Sequence, residues 1–285
     1  MNAWKVACPN TAFPENPASQ RQWDEPLCRL TRNKLIETSV NTAERPRLLA
    51  VGEWESGLWL HALPSPSVGT MLGDTTFRLA TCLRLGAPTA APHRCQCGES
   101  VDRLGQHGLS CSKSAGPMAR HASINDIIRR ALVTAGVPAI LEPRGLARDD
   151  GRRPDGMSIM PWKMGRSLVW DATCVDTLAP SHLPSTASCV GAAAAAAENL
   201  KRHKYVNLTG NCIFEPFGVE TLGPWGPSAH RLFREIRKRL VESTRDQRAG
   251  LYFGQRICIA IQRGNAASLL GTIPADSDAD EYFDT

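Results

Sequence analysis

The sequence predicts an α/β protein built on a mixed four-stranded sheet flanked by helices, with the order helix, three strands, helix, strand, preceded by a helical leader and a small metal-binding loop. Three observations predict it. Short apolar runs bounded by Gly and Pro alternate with helix-period segments after residue 117, a Cys/His cluster sits just upstream, and 42% hydrophobic content over 285 residues is enough to bury a real core.

Residues 1–72 read as a leader or linker, with helices expected in "PLCRLTRNKLIETSV" and "RPRLLAVGEW" and no chemistry legible in either. The unit 73–116 opens on "LGDTTFRLATCLRLG", where an Asp and two Thr precede an apolar-periodic run that stops at Gly86, the pattern of a short capped helix. A Pro-bearing linker leads to "CQCGESVDRLGQHGLSC". Its Cys95, Cys97, His107 and Cys111 form a C-x-C, H-x-x-x-C set, with glycines at 98, 105 and 108 to fold the loop back. Thiolates and imidazole are tetrahedral Zn²⁺ ligands, and a loop this short has little core of its own, so metal would supply its folding energy. Four unrelated buried thiol and imidazole groups are the competing reading.

The core is expected over 117–265. In "ARHASINDIIRRALVTAGV", Ile124, Ile127, Ile128, Ala131 and Leu132 recur at helical spacing, Arg120, Arg129 and Arg130 fall on other faces, and Gly136 ends the helix. "PAILEPRG", "RRPDGMSIM" and "RSLVWDATCV" read as three strands, the last two joined by a turn near Trp162 and Gly165. "STASCVGAAAAAAENLKRHKYVNL" reads as one long helix whose alanines allow close approach to a sheet, and "NCIFEPFGVETLG" as the fourth strand. Pro227 is placed as the first residue of the amphipathic, basic-faced helix "PSAHRLFREIRKRLVEST". "LYFGQRICIAIQRGNAASLLG" reads as helix, with a strand as the alternative. Residues 266–285 are expected to be an acidic, flexible tail.

Asp155 and Asp171 stand in the second and third strands, and an antiparallel pairing would bring both carboxylates to one end of the sheet. Two like charges there need a counterion, and a divalent cation, Mg²⁺ or Mn²⁺, shared with a phosphate would meet that need. Glu198, Lys201 and Tyr205, at i, i+3 and i+7, would share a helix face, from which Lys201 would reach a phosphate. "LKRHKY" also reads as a solvated basic helix end. Glu142 and Glu198 are possible accessory acids, although Glu142 also fits an ordinary strand-edge carboxylate.

Together "RRPDG", "VWDAT" and "KRHKY" resemble the PD-(D/E)-x-K nucleases. With the upstream knuckle they are more similar to the restriction-like endonuclease region of site-specific non-LTR retrotransposon polyproteins. The resemblance implies a restriction-endonuclease-like core, Asp155 and Asp171 as Mg²⁺ ligands, Lys201 as catalytic lysine and Tyr205 beside it. Thr173 stands where most of the superfamily has its lysine, and in the retrotransposon branch that lysine is displaced to the following helix, as Lys201 is here. The implied activity is metal-dependent nicking of DNA, and the alternative is a catalytically silent, nucleic-acid-binding zinc-knuckle protein.

Charge agrees with a polyanionic partner. Net charge is +5, and the closing "ADSDADEYFDT" holds five acids and no base, which leaves +10 on the preceding chain. Surplus Lys and Arg favour phosphates through counterion release. Expected partners are duplex DNA, with RNA and a polymerase acting in trans as further candidates, and neither a membrane nor a small-molecule substrate. The opening residues lack an apolar signal core and the cysteines are mostly scattered singly, so a nuclear or cytoplasmic setting with reduced thiols is expected.

Overall fold

The computed structural model describes residues 2–39, 42–146, 153–208, 210 and 212–273. The leader holds α1 (Asn2–Ala7), α2 (Gln20–Thr38), α3 (Glu44–Val51) and a 3-10 turn (Glu55–His61), followed by α4 (Asp74–Leu85). Gly86 ends α4 in the left-handed conformation expected of it, and the N-cap is Gly73, with Asp74 in the first turn. Around the Cys/His cluster lie β1 (His93–Arg94), β2 (Ser100–Val101) and α5 (Gln106–Ser110). The main layer runs α6 (Gly116–Thr134), β3 (Ala139–Leu141), β4 (Gly156–Lys163), β5 (Arg166–Val175), α7 (Leu183–Thr186), α8 (Ala192–Lys204), a 3-10 turn (Val206–Leu208), β6 (Cys212–Glu220), α9 (Pro227–Thr244) and α10 (Ala249–Leu270).

The sheet order is β3-β4-β5-β6, with antiparallel pairing across the first three strands and β6 parallel to β5. The parallel step requires a crossover, which α8 supplies. Met164 and Gly165 close the β4–β5 hairpin with φ of 51° and 72°, the two positive values a two-residue type I′ turn demands. Gly156 is fixed by packing: a Cβ there would stand 2.0 Å from the Trp170 ring.

The expected long helix is two pieces. Gly191, at φ 72°, separates α7 from α8 as the N-cap of the latter, and Tyr205 lies past the last helical residue. α10 is helical throughout, with no strand. It also crosses the expected tail boundary: Ala266 and Leu269 are buried in helix, and only 274–285 of the acidic segment lies outside the described residues.

One cluster of buried side chains joins α6, the sheet, α9 and α10, and it includes Leu58 and Trp59 from the segment read as leader. Arg120, expected on an outer face, is 1% exposed. Its guanidinium bonds Asn265 Oδ1 at 2.8 Å and Ser268 Oγ at 3.2 Å on α10, and the Leu109 carbonyl on α5 at 3.0 Å. The cysteine-bearing loop is thereby tied to the core through a buried cation whose two terminal nitrogens are both bonded. No helix among the described residues is long and apolar enough to cross a membrane.

Candidate functional site

Cys95 follows β1, Cys97 lies in the turn to β2, His107 is on α5 and Cys111 caps its end. Gly98, at φ 93°, closes the Cys95–Gly98 turn, and its N–H donates to the Cys95 carbonyl at 2.8 Å. The four ligand atoms all lie within 4.8 Å of one another. Cys95 Sγ and Cys111 Sγ are 3.6 Å apart, and Cys97 Sγ and His107 Nε2 are 3.2 Å apart. A tetrahedral zinc with bonds of about 2.0–2.3 Å sets its ligand atoms about 3.5–3.8 Å apart; the Cys95–Cys111 pair meets that spacing, the Cys97–His107 pair is shorter, and the donor set fits Zn²⁺ in chemistry. Without metal, burial pushes the Cys95 thiol up to about 11, a cost that coordination as thiolate removes.

The second cluster forms where β4, β5, α6 and α8 meet. Gly156 pairs with Trp170, so Asp155 falls opposite Asp171 on neighbouring antiparallel strands. The Asp155 N–H donates to the Trp170 carbonyl at 3.1 Å, and Asp155 Oδ2 accepts the Ala172 N–H at 2.7 Å. Asp171 is 2% exposed, and its Oδ1 lies 2.5 Å from Lys201 Nζ. The carboxylate, the second carboxylate and the lysine thus converge although 46 positions separate the first from the last.

His121 completes the cluster, and the sequence reading missed it. Its Nε2 lies 2.9 Å from Asp155 Oδ2, and Asn125, one turn further along α6, sits 3.3 Å from the same nitrogen while accepting the Trp170 indole N–H at 2.9 Å. The hydrogen bond to Asp155 raises the His121 pKa above its ordinary value against the opposing effect of burial. Burial alone would raise Asp155, but His121 and the Ala172 N–H together hold it below the usual carboxylate range. The signal available in sequence was a His/Asn pair at i, i+4 beside the apolar stripe of the helix.

The remaining candidates sit elsewhere. Glu198 is fully buried and accepts the N–H groups of Ser228 at 2.8 Å, Ala229 at 2.9 Å and Gly218 at 3.2 Å, so it caps α9 and the β6 edge while Lys201, three residues on, turns to Asp171. Tyr205 is 1% exposed, its ring 5.0 Å from Phe214 with Lys204 over its face, which makes the ring part of the interior rather than of a shared helix face. Glu142 is exposed, ion-paired with Arg153, and bonded through its N–H to the Asp155 carbonyl at 2.8 Å. Residues 151 and 152 of "GRRPDG" lie outside the described residues. No protein-family model matches the chain, and a search of curated proteins finds no relative.

Proposed function

We propose that the chain is a metal-dependent DNA endonuclease of the restriction-like type carried by site-specific non-LTR retrotransposon polyproteins. The observation that carries this reading is the convergence of Asp155, Asp171 and Lys201 from two adjacent strands and the crossover helix. Oxygen donors on neighbouring strands suit a hard divalent cation, and Asp155 and Asp171 would hold Mg²⁺ or Mn²⁺. Such a cation lowers the pKa of a bound water and offsets phosphate charge.

The chain's own groups then have distinct tasks. Lys201, a compact cation at 26% side-chain exposure, is placed to leave Asp171 for a phosphate oxygen where negative charge develops. His121 orients the Asp155 carboxylate through Oδ2, and Asn125 braces it on Trp170. The Zn²⁺ loop would add a rigid grip on nucleic acid. RNA and a polymerase in trans belong to the same proposal.

A second reading has its own observation in support. Lys201 faces Asp171, and His121, where protonated, faces Asp155, so each acid has a partner of its own in a scaffold, and the protein would bind nucleic acid without cutting it. Plasmid nicking in Mg²⁺ or Mn²⁺, with gel shift on the same preparation, separates the two. Nicking that is lost in Asp155→Ala and Asp171→Ala supports the nuclease, and binding without cutting at any metal concentration supports the scaffold.

A further inference from the structure

α6 presents different side chains to its two sides. His121 reaches Asp155 from one of them, while Ser123 and Arg130, on the reverse, line a groove of about 600 Å³ between α6, α10 and the loop at 66–69. Tyr252, Arg256 and Arg263 stand along that groove at i, i+4 and i+11, on one face of α10. Tyr252 Oη donates to the Val68 carbonyl at 2.9 Å and Arg263 to the Met71 carbonyl at 2.7 Å, which holds the loop in place as the outer wall. Val68, Arg130, Tyr252 and Arg256 also line a second hollow of about 550 Å³, walled by Leu63, Leu240 and Phe253, so the two are continuous. Leu63 is 81% exposed, and the hollow therefore opens on an apolar rim. The groove holds surplus positive charge. Arg256 and Arg263 ion-pair with no acid among the described residues: Arg256 lies 5.7 Å from the Tyr252 ring centre, and Arg263 donates to a neutral carbonyl. On the α6 wall Asp126 is shared by Arg129 at 2.8 Å and Arg130 at 2.7 Å, so one carboxylate faces two guanidiniums. In the second hollow Asp246 and Arg248 offset each other.

We propose, resting on the nucleic-acid reading above in either of its forms, that this groove binds single-stranded DNA, with phosphates on Arg263, Arg256 and Arg130 and an unpaired base in the apolar hollow against the Tyr252 ring. Charge complementarity accounts for the phosphates, since guanidiniums without acids of their own are free to displace condensed counterions. Spacing agrees. Arg256 and Arg263 are about 10 Å apart along α10 at roughly 1.5 Å per residue, the length of about three stacked nucleotides at roughly 3.4 Å each. The apolar end selects the single strand. A paired base keeps its faces stacked on its neighbours, whereas an unpaired one can leave the stack for an aromatic side chain. Tyr252 is half-buried and lines both hollows, so its ring stands where the backbone track meets the apolar space, and Arg256 beside it adds a second plane on which a base can stack. The strand so held lies on the opposite side of α6 from Asp155 and Asp171, apart from the groups that would cut a duplex.

The test uses the full chain. A 20-mer oligothymidylate carrying 5-iododeoxyuridine, irradiated on the wild-type protein, should cross-link to Tyr252, and attachment only elsewhere overturns the proposal. In fluorescence anisotropy, Arg256→Glu with Arg263→Glu should weaken oligothymidylate binding about tenfold or more and leave a duplex of the same length within about threefold of wild type. Tyr252→Ala should weaken oligothymidylate binding about tenfold, and Tyr252→Phe, which keeps the ring, should restore it. Equal loss in the Ala and Phe variants, or equal loss of single strand and duplex in the arginine variant, overturns the single-strand assignment. Oligouridylate bound more tightly than oligothymidylate, with the same variants losing it, makes the groove an RNA site and overturns the choice of DNA. A dimer in sedimentation that the arginine variant abolishes, with oligothymidylate binding unchanged, makes the groove a contact between copies and overturns the proposal. Wild type that binds neither single strand nor duplex overturns the nucleic-acid reading itself, whereas binding that no groove variant weakens leaves that reading standing and removes the groove alone.

Discussion

Lys201 Nζ lies 2.5 Å from Asp171 Oδ1 across the junction of the crossover helix and the central strand. The acid is 2% exposed, so the pair is mostly desolvated on one side. Breaking it by Lys201→Ala leaves a buried carboxylate without its cation and should destabilise the protein by about 2–3 kcal/mol, the lower end for buried pairs because the lysine keeps some water. Adding Asp171→Asn should recover most of that loss. Chemical denaturation of the single and double variants checks it, and a double variant as weak as the single would show that the pair carries no coupling.

His121 and Asp155 give the stability a defined pH window. The folded His121 pKa is raised, so its contribution is complete below the unfolded imidazole value and fades as pH rises through the folded one. The folded Asp155 pKa is lowered, so its contribution is present above the unfolded carboxylate value and fades as pH falls through the folded one. The excess stability of the wild type over His121→Gln should therefore peak in weak acid, at about pH 5–6, and shrink above neutrality. Thermal melts from pH 4 to 9 measure it, and a difference independent of pH would contradict it.

One zinc per chain is expected in reduced protein, with Cys111→Ser losing it. Because Arg120 bonds the Leu109 carbonyl and Gly108 packs on Leu269, the loss should lower the melting temperature of the whole chain rather than of a detached loop. Metal analysis with melting curves before and after chelation decides between the two.

Arg120→Met should destabilise by about 3 kcal/mol, since it strands the Asn265 and Leu109 acceptors in the interior. It should also raise zinc loss in chelator competition, which an effect confined to α6 and α10 would not do.

Glu198→Ala should cost about 1–2 kcal/mol by uncapping α9, with nicking unchanged once the variant is folded. Loss of cleavage at full stability would instead return Glu198 to the metal site.

Where local chemistry was decisive, the sequence alone determined the outcome. β5 spans the same Arg166–Val175 that the apolar run marks, α9 starts on Pro227, Gly86 stops α4, and the C-x-C and H-x-x-x-C spacing brings four ligands together, because each depends on neighbours within a few turns. The convergence of Asp155 and Asp171 at one end of the sheet was legible from the hairpin, but their direct pairing was not, because irregularities between Met157 and Lys163 shift the register set by the turn before Gly156 meets Trp170. Tertiary structure alone decided the partners of the charged helix residues. Arg120 reads as a surface arginine until Asn265, 145 positions away, meets it in the core, and Glu198 reads as a companion of Lys201 until α9 presents its free N–H groups. His121 joins the cluster only because α6 packs beside the strands that carry Asp155 and Trp170. Helical periodicity assigns a side chain to a face, but the polarity of that face is set by whichever distant backbone or carboxylate the fold brings against it, and burying a charge is tolerable only where such a partner arrives.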